Sequence, residues 1–225
     1  SRLVECRYPV LLFDRYFPEM RVNYVIINNE ESSYKLVRHL IDKGFRKIAI
    51  ITTNPHLLTM DMRREGYANA LSDAHIRINP DLYGEVTYVN YQENIYSTMD
   101  RIFSAVPDVD AFFFTTHILA IEALRYFYDR GIDINDGNWG LACMHEDSLF
   151  RVLAPKMNIA HFPIEEIGSN AVRSLILVDL SATGASPTIP KRANTYPNRR
   201  CSPAGWNSGT NEPLFLPVQL KRLSK

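Results

Sequence analysis

The chain has 225 residues, 46% hydrophobic and 22% charged, the composition of an ordinary soluble globular protein, which excludes disorder, collagen and coiled coil. Its 25 Lys and Arg balance 25 Asp and Glu to a formal net charge of zero, so the basic field that nucleic-acid binding needs is missing. A chain of this length buries about 70% of its extended surface, so its core needs no metal or disulfide, and no apolar run approaches a membrane span.

In chain order, the first element is a strand at Val10–Phe13, a short apolar run. Leu36, Val37, Leu40 and Ile41 recur at helical spacing within 31–43, and Gly44 stands where a C-cap belongs. Ile48–Ile51 is a second apolar run, and Val86–Val89 a weaker strand. Ile95, Met99, Ile102, Phe103 and Val106 mark a helix over 95–106. Strand Ala111–Phe114 leads to a helix over 118–130, striped by Ile118, Ile121, Leu124 and Phe127 and closed by Gly131. Strand Leu141–Met144 is followed by a helix over 164–179 with Ile164, Ile167, Ala171 and Leu175 on one face. From 184 to 213 five prolines and several basic residues interrupt all periodicity, which predicts a long exposed loop. Leu214–Val218 then predicts a last strand, with Pro217 favouring a sheet edge.

Strands apolar on both faces, alternating with helices, predict an α/β fold with parallel sheets. Ligands of such sheets bind beyond the carboxyl ends of the strands. That rule selects Asp14 and Arg15, Thr59 and Arg63, Tyr91, Thr116 and His117, and His145. Carboxylates and guanidinium groups clamp hydroxyl pairs and an aromatic ring stacks on a sugar's C–H face, so this set suits a polyhydroxyl ligand. Each residue also has a plainer reading. Arg63 could be a solvated helix arginine like Arg64, Asp14 and Arg15 a salt bridge, Tyr91 a packing residue and Thr59 an N-cap.

No metal is expected at His145–Glu146–Asp147, because adjacent residues rarely aim at one ion. Cys143 lies in an apolar strand and reads as a core residue rather than a nucleophile. No phosphate loop, nucleophile elbow or zinc-protease motif occurs, so neither catalytic residues nor a cofactor are expected. Three widely spaced cysteines, Cys6, Cys143 and Cys201, favour a reducing compartment. The opening Ser1–Glu5, with neither initiator Met nor signal sequence, reads as the start of a cut or processed piece.

Several stretches together resemble the LacI/GalR family of bacterial transcriptional repressors. They are Pro9–Arg15, Val25–Asn29, His39–Ala49, Arg63–Leu71, Asp110–Phe112 with Ala120–Leu124, Pro163–Ala171 and Arg222–Ser224, in register from residue 9 to 224 apart from the 184–213 loop. The resemblance implies two doubly wound parallel-sheet subdomains of periplasmic-binding-protein type I, with a sugar-like effector in the cleft between them. It implies a partial N-terminal subdomain, 1–25 and 159–212, and a C-terminal one, 26–158 and 213–225. The helix-turn-helix headpiece and the first βα units would lie outside this chain. The implied protein is a cytoplasmic homodimer that reaches DNA only through that headpiece. The alternatives are a periplasmic-type sugar-binding protein serving a transporter or membrane sensor and, with no motif in its favour, an enzyme on the same scaffold.

By the resemblance, Arg63 pairs with the effector, Asp14 supplies a cleft carboxylate and Tyr91 the stacking ring. Two positions depart from the family pattern: Thr116–His117 stands for its Asn-Asp, and His145 for an Asp that receives sugar hydroxyls. A neutral His145 donates and accepts one bond each, whereas a protonated one attracts acids. An acidic or modified sugar is therefore expected. The truncated edge, residues 1–25 and 159–180, is expected to expose apolar surface.

Overall fold

The computed structural model describes residues 10–15, 17, 19–20, 22–53, 57–87, 89–183, 214–215 and 218–221. The expected 184–213 loop, the Arg222–Ser224 motif, Cys6 and Cys201 lie outside them.

The chain enters a small sheet through β1 (Leu11–Phe13) and β2 (Asn23–Ile27), which pair in parallel. It then builds a larger sheet from β3 (Ile48–Thr53), β4 (Tyr83–Val86), β5 (Ala111–Phe114), β6 (Gly140–Cys143), β7 (Asn158–His161) and β8 (Leu214–Phe215), in the order β4-β3-β5-β6-β7-β8 with every pairing parallel. Strand β9 (Val218–Lys221) returns to the small sheet, antiparallel to β2. The helices are α1 (Asn29–Asp42), α2 (Leu58–Asp73), α3 (Tyr91–Ala105), α4 (His117–Asp129), the single turn α5 (Phe150–Leu153) and α6 (Ile164–Thr183).

The large sheet is doubly wound, and its sequence shows why. Along β3 and β5, Ile48, Ile50, Ala111 and Phe113 face one side, where they pack with Leu36, Val37, Leu40 and Ile41 of α1 and with Tyr67, Ala70 and Leu71 of α2. Ala49, Ile51, Phe112 and Phe114 face the other, against Ile95, Met99 and Ile102 of α3 and Leu119, Ala123 and Phe127 of α4. Alternate residues point to opposite faces, so a strand covered on both sides must be apolar throughout.

Helix α1 begins at a reciprocal cap: Asn28 accepts from the Glu31 amide and donates to the Glu31 carboxylate at 2.8 Å. It ends as expected at Gly44, whose φ of +103° turns the chain out of the helix while its amide bonds Ile41 O. Helices α1 and α2 touch at Gly66, where an added Cβ would lie 2.2 Å from Glu30 O. That close approach carries the first turns of α2 to the start of α1.

Two expectations need correction. The weak strand is Tyr83–Val86, not Val86–Val89: Pro80–Leu82 forms a 3-10 turn that sets the chain beside β3 three residues earlier. The single strand expected at Leu214–Val218 is two strands in different sheets. A proline has no N–H for a ladder, and Pro217 stands between them in the sequence. Strand β7 belongs to the large sheet and β9 to the small one. Helix α6 does pack on the small sheet, against β1, β2 and β9.

Candidate functional site

A cavity of about 160 Å³ opens where the two sheets meet. Its wall is assembled from the segments that follow β1, β3, β5 and β6, the carboxyl-end rule in three dimensions. Seven of the eight residues selected from the sequence line it: Asp14 and Arg15, Thr59 and Arg63, Thr116 and His117, and His145. Leu57, Met60 and Ile118 add apolar surface. Tyr91 is not in the wall. It begins α3 and packs half-buried against the core beneath that helix, the plainer reading given above.

Arg63 is the floor of the cavity. It is only 2% exposed, the opposite of a solvated helix arginine. Its Nε donates to Asn29 Oδ1 at 2.8 Å, one Nη to the Thr115 carbonyl at 2.5 Å and the other Nη to His145 Nε2 at 3.1 Å. The guanidinium is therefore fixed in orientation before any ligand arrives. Arg64, one position on, faces the other way and pairs with Asp61 and Tyr83 Oη.

A guanidinium only donates, so His145 Nε2 accepts and the hydrogen of the neutral ring sits on Nδ1. Burial, the Arg63 charge and neighbouring His117 push the His145 pKa down to about 3. The expectation of an imidazolium attracting acids at this position is thus corrected: a cation is already next to it, and a second would be repelled and poorly solvated. The ring is held edge-on to Phe162 at 5.2 Å and tilted against His117 at 5.9 Å.

Glu146 and Asp147, the other members of the acidic triplet, diverge from it. Glu146 pairs with His161 at 3.0 Å, and Asp147 accepts from the Leu149 amide. Cys143 is a buried core thiol pushed up to about 12 by desolvation, which leaves no thiolate for chemistry at neutral pH.

Two helices start at the cavity, and the N-cap residue of neither makes a side-chain cap bond. Leu57 precedes α2 and Thr116 precedes α4, without the cap bond that Asn28 supplies to α1. Thr59 therefore lies inside α2 and is not its N-cap. Thr116 Oγ1 and His117 Nδ1 are buried without a hydrogen-bond partner. Polar atoms in that condition cost on the order of 1–3 kcal/mol each unless a ligand or water satisfies them.

On the rim, Asp14 has a left-handed φ of +64°, and its carboxylate lies 3.9 Å from Arg15 Nε. Such a backbone is held by its surroundings: the Asp14 amide bonds Val25 O on the neighbouring strand. Sequence reasoning missed Asn29, which is fully buried and positions Arg63. The available signal was an asparagine at a strand-to-helix junction, where a buried amide needs a partner.

The model of the periplasmic binding protein-like domain matches residues 37–195. The ribose operon repressor of Haemophilus influenzae is 28% identical over 170 residues, covering 75% of this chain and 50% of that protein. The transcription regulator CcpA of Lactococcus lactis superposes with a TM-score of 0.67 at 19% identity, over 98% of this chain and 70% of that one. A complex of the transcriptional regulator CelR with cellobiose superposes with a TM-score of 0.68 at 22% identity, over 98% of this chain and 59% of that one. The chain spans about half the length of the curated relatives it matches. It belongs to the periplasmic binding protein-like domain family.

Proposed function

We propose that this chain is the effector-sensing and dimerisation core of a LacI/GalR-type regulator, binding a sugar or sugar derivative in the cavity between its two sheets. The observation that carries the reading is that cavity: a preoriented, buried Arg63 under a rim formed by Asp14 and Arg15 from the other sheet. A ligand touching both would draw the two sheets together, and closure shifts a population only if the closed state binds more tightly. The sugar in the CelR complex and the name of the ribose operon repressor support a carbohydrate effector. In this reading the small sheet with α6 is the partial N-terminal subdomain, and the large sheet is the core of the C-terminal one. The protein is a cytoplasmic homodimer without enzymatic turnover, and it meets DNA through a separate headpiece.

The test is a thermal-melt screen of the full-length protein and its Arg63→Gln variant against pentoses, hexoses, disaccharides and their derivatives. A ligand at a hundred times its dissociation constant adds about 2.7 kcal/mol, or about 5–10 °C for a domain of this size. A shift in the wild type that the variant loses supports the reading. A shift of equal size in both places the ligand elsewhere, and no shift with any carbohydrate sinks the reading.

A further inference from the structure

The first turn of α1 gives the cavity no lining side chain, yet it touches two of the segments that do. Asn29 opens that turn and is fully buried. Its Oδ1 accepts from Arg63 Nε at 2.8 Å, and its Nδ2 donates to the Ile27 carbonyl at 3.2 Å. Ile27 is the last residue of β2, so one amide joins the cavity floor to the end of a small-sheet strand. Further along the turn, Ser33 Oγ donates to Met144 Sδ at 3.3 Å, and Met144 stands between β6 and His145. Ser33 also lies against Gly66, where an added Cβ would come 2.8 Å from its own, so the turn bears directly on α2 just beyond Arg63.

The pair of bonds specifies the residue type. A guanidinium can only donate and a backbone carbonyl can only accept, so the side chain between them must offer an acceptor on one side and a donor on the other. The amide of Asn29 does so in a single orientation. An aspartate would set an oxygen against the Ile27 carbonyl, and a serine is too short to span both. The strand at the far side of this tie also holds the rim, since the Asp14 amide bonds Val25 O on β2. Moving the end of β2 therefore acts on Asp14 and, through Asn29, on Arg63. A long side chain that is already held when a ligand docks loses no rotamer freedom in the binding step, and affinity gains accordingly.

Resting on the sensing reading above, we propose that Asn29 is a positioning residue of the effector site: from outside the cavity, its amide ties the Arg63 guanidinium to the end of β2 and keeps the floor in register with the Asp14 rim. Effector affinity is then set in part by a side chain that the effector does not touch.

The test joins calorimetric titration of the full-length protein with heteronuclear NMR of its arginine Nε–H groups, for wild type, Asn29→Ala and Asn29→Ser. The titrants are ribose, glucose, galactose and cellobiose at pH 7, and circular dichroism checks that each variant is folded. In the wild type the Arg63 Nε–H, identified by its loss in Arg63→Gln, is expected to exchange slowly with water. In both Asn29 variants it is expected to exchange about tenfold faster or more. Each sugar that binds the wild type is expected to bind both variants about threefold or more weakly. A smaller loss of affinity in a folded variant overturns the proposal and leaves sugar sensing standing. A loss of affinity with the Nε–H still protected also overturns it, because Asn29 would then act only through the fold of α1. Should Asn29→Ala fail to fold, Asn29→Ser, which keeps a polar group at the helix start, decides alone. Silence from all four sugars in the wild type overturns the sensing reading and the proposal with it.

Discussion

The two faces of the large sheet and the outer side of α6 obey different rules. In the large sheet, Phe112, Phe113 and Phe114 are fully buried between helix pairs, and every second residue serves the opposite layer. On the small sheet and α6, Phe13 is 66% exposed and Ile164 70%, with Phe17, Val172 and Ile176 also in solvent. Among the described residues one helix, α6, packs on the three-stranded sheet, whereas helices cover both faces of the large one, and these apolar side chains of the smaller assembly are exposed.

The comparison can be broken by a pair of matched truncations. Phe113→Ala should destabilise the protein by about 3–5 kcal/mol, because a fully buried ring is replaced by a cavity. Phe13→Ala, on the uncovered sheet, should change it by less than about 0.5 kcal/mol. Urea unfolding of the two variants measures both, and equal costs would mean that the small sheet is covered in solution.

The cavity contributes its own dependence on pH. The folded-state pKa of His145 lies near 3, below the usual histidine value of 6.5, so the unfolded chain binds a proton that the folded one refuses. Stability from this group is complete above pH 6.5 and falls with acidification toward pH 3, by about 1.4 kcal/mol per pH unit within that window. His145→Gln should flatten that part of the profile, and a wild-type profile already flat between pH 6.5 and 4 would contradict the burial argument. Burial also lowers the pKa of His39, which adds to the same trend and remains in the variant.

The contact that positions Arg63 should be less costly to disturb. Gly66→Ala forces a methyl group against Glu30 O and should destabilise by about 1–3 kcal/mol through displacement of α1 from α2. Because Asn29 begins α1, the same change should weaken ligand binding; calorimetry on the folded variant checks it. The smallest effect is expected at Val172→Ser on α6, within about 0.5 kcal/mol, since the side chain is already in water. A large loss there would reveal a covering partner.

Much of the site was legible because it depends on connectivity. Strand ends were marked by the apolar runs, and the residues just beyond β1, β3, β5 and β6 meet in one cavity whatever their detailed packing. Tyr91 stands outside that cavity for the same reason in reverse. The strand before it ends at Val86, and the residue opens α3 with its ring turned to the core. The protonation state of His145 was not legible at all, since it follows from burial and then from Arg63, distant by 82 positions in the chain.

By itself, the sequence determined the alternation of doubly apolar strands and amphipathic helices, the Gly44 helix stop and the set of candidate ligand residues. These depend on local periodicity and backbone stereochemistry, which neighbouring residues carry. Only the tertiary structure decided that the strands on either side of Pro217 in the sequence belong to different sheets, and that Asn29 holds Arg63. Those facts arise from groups far apart in the chain meeting in buried surroundings, where the partner, and not the residue type, sets charge and hydrogen-bonding role.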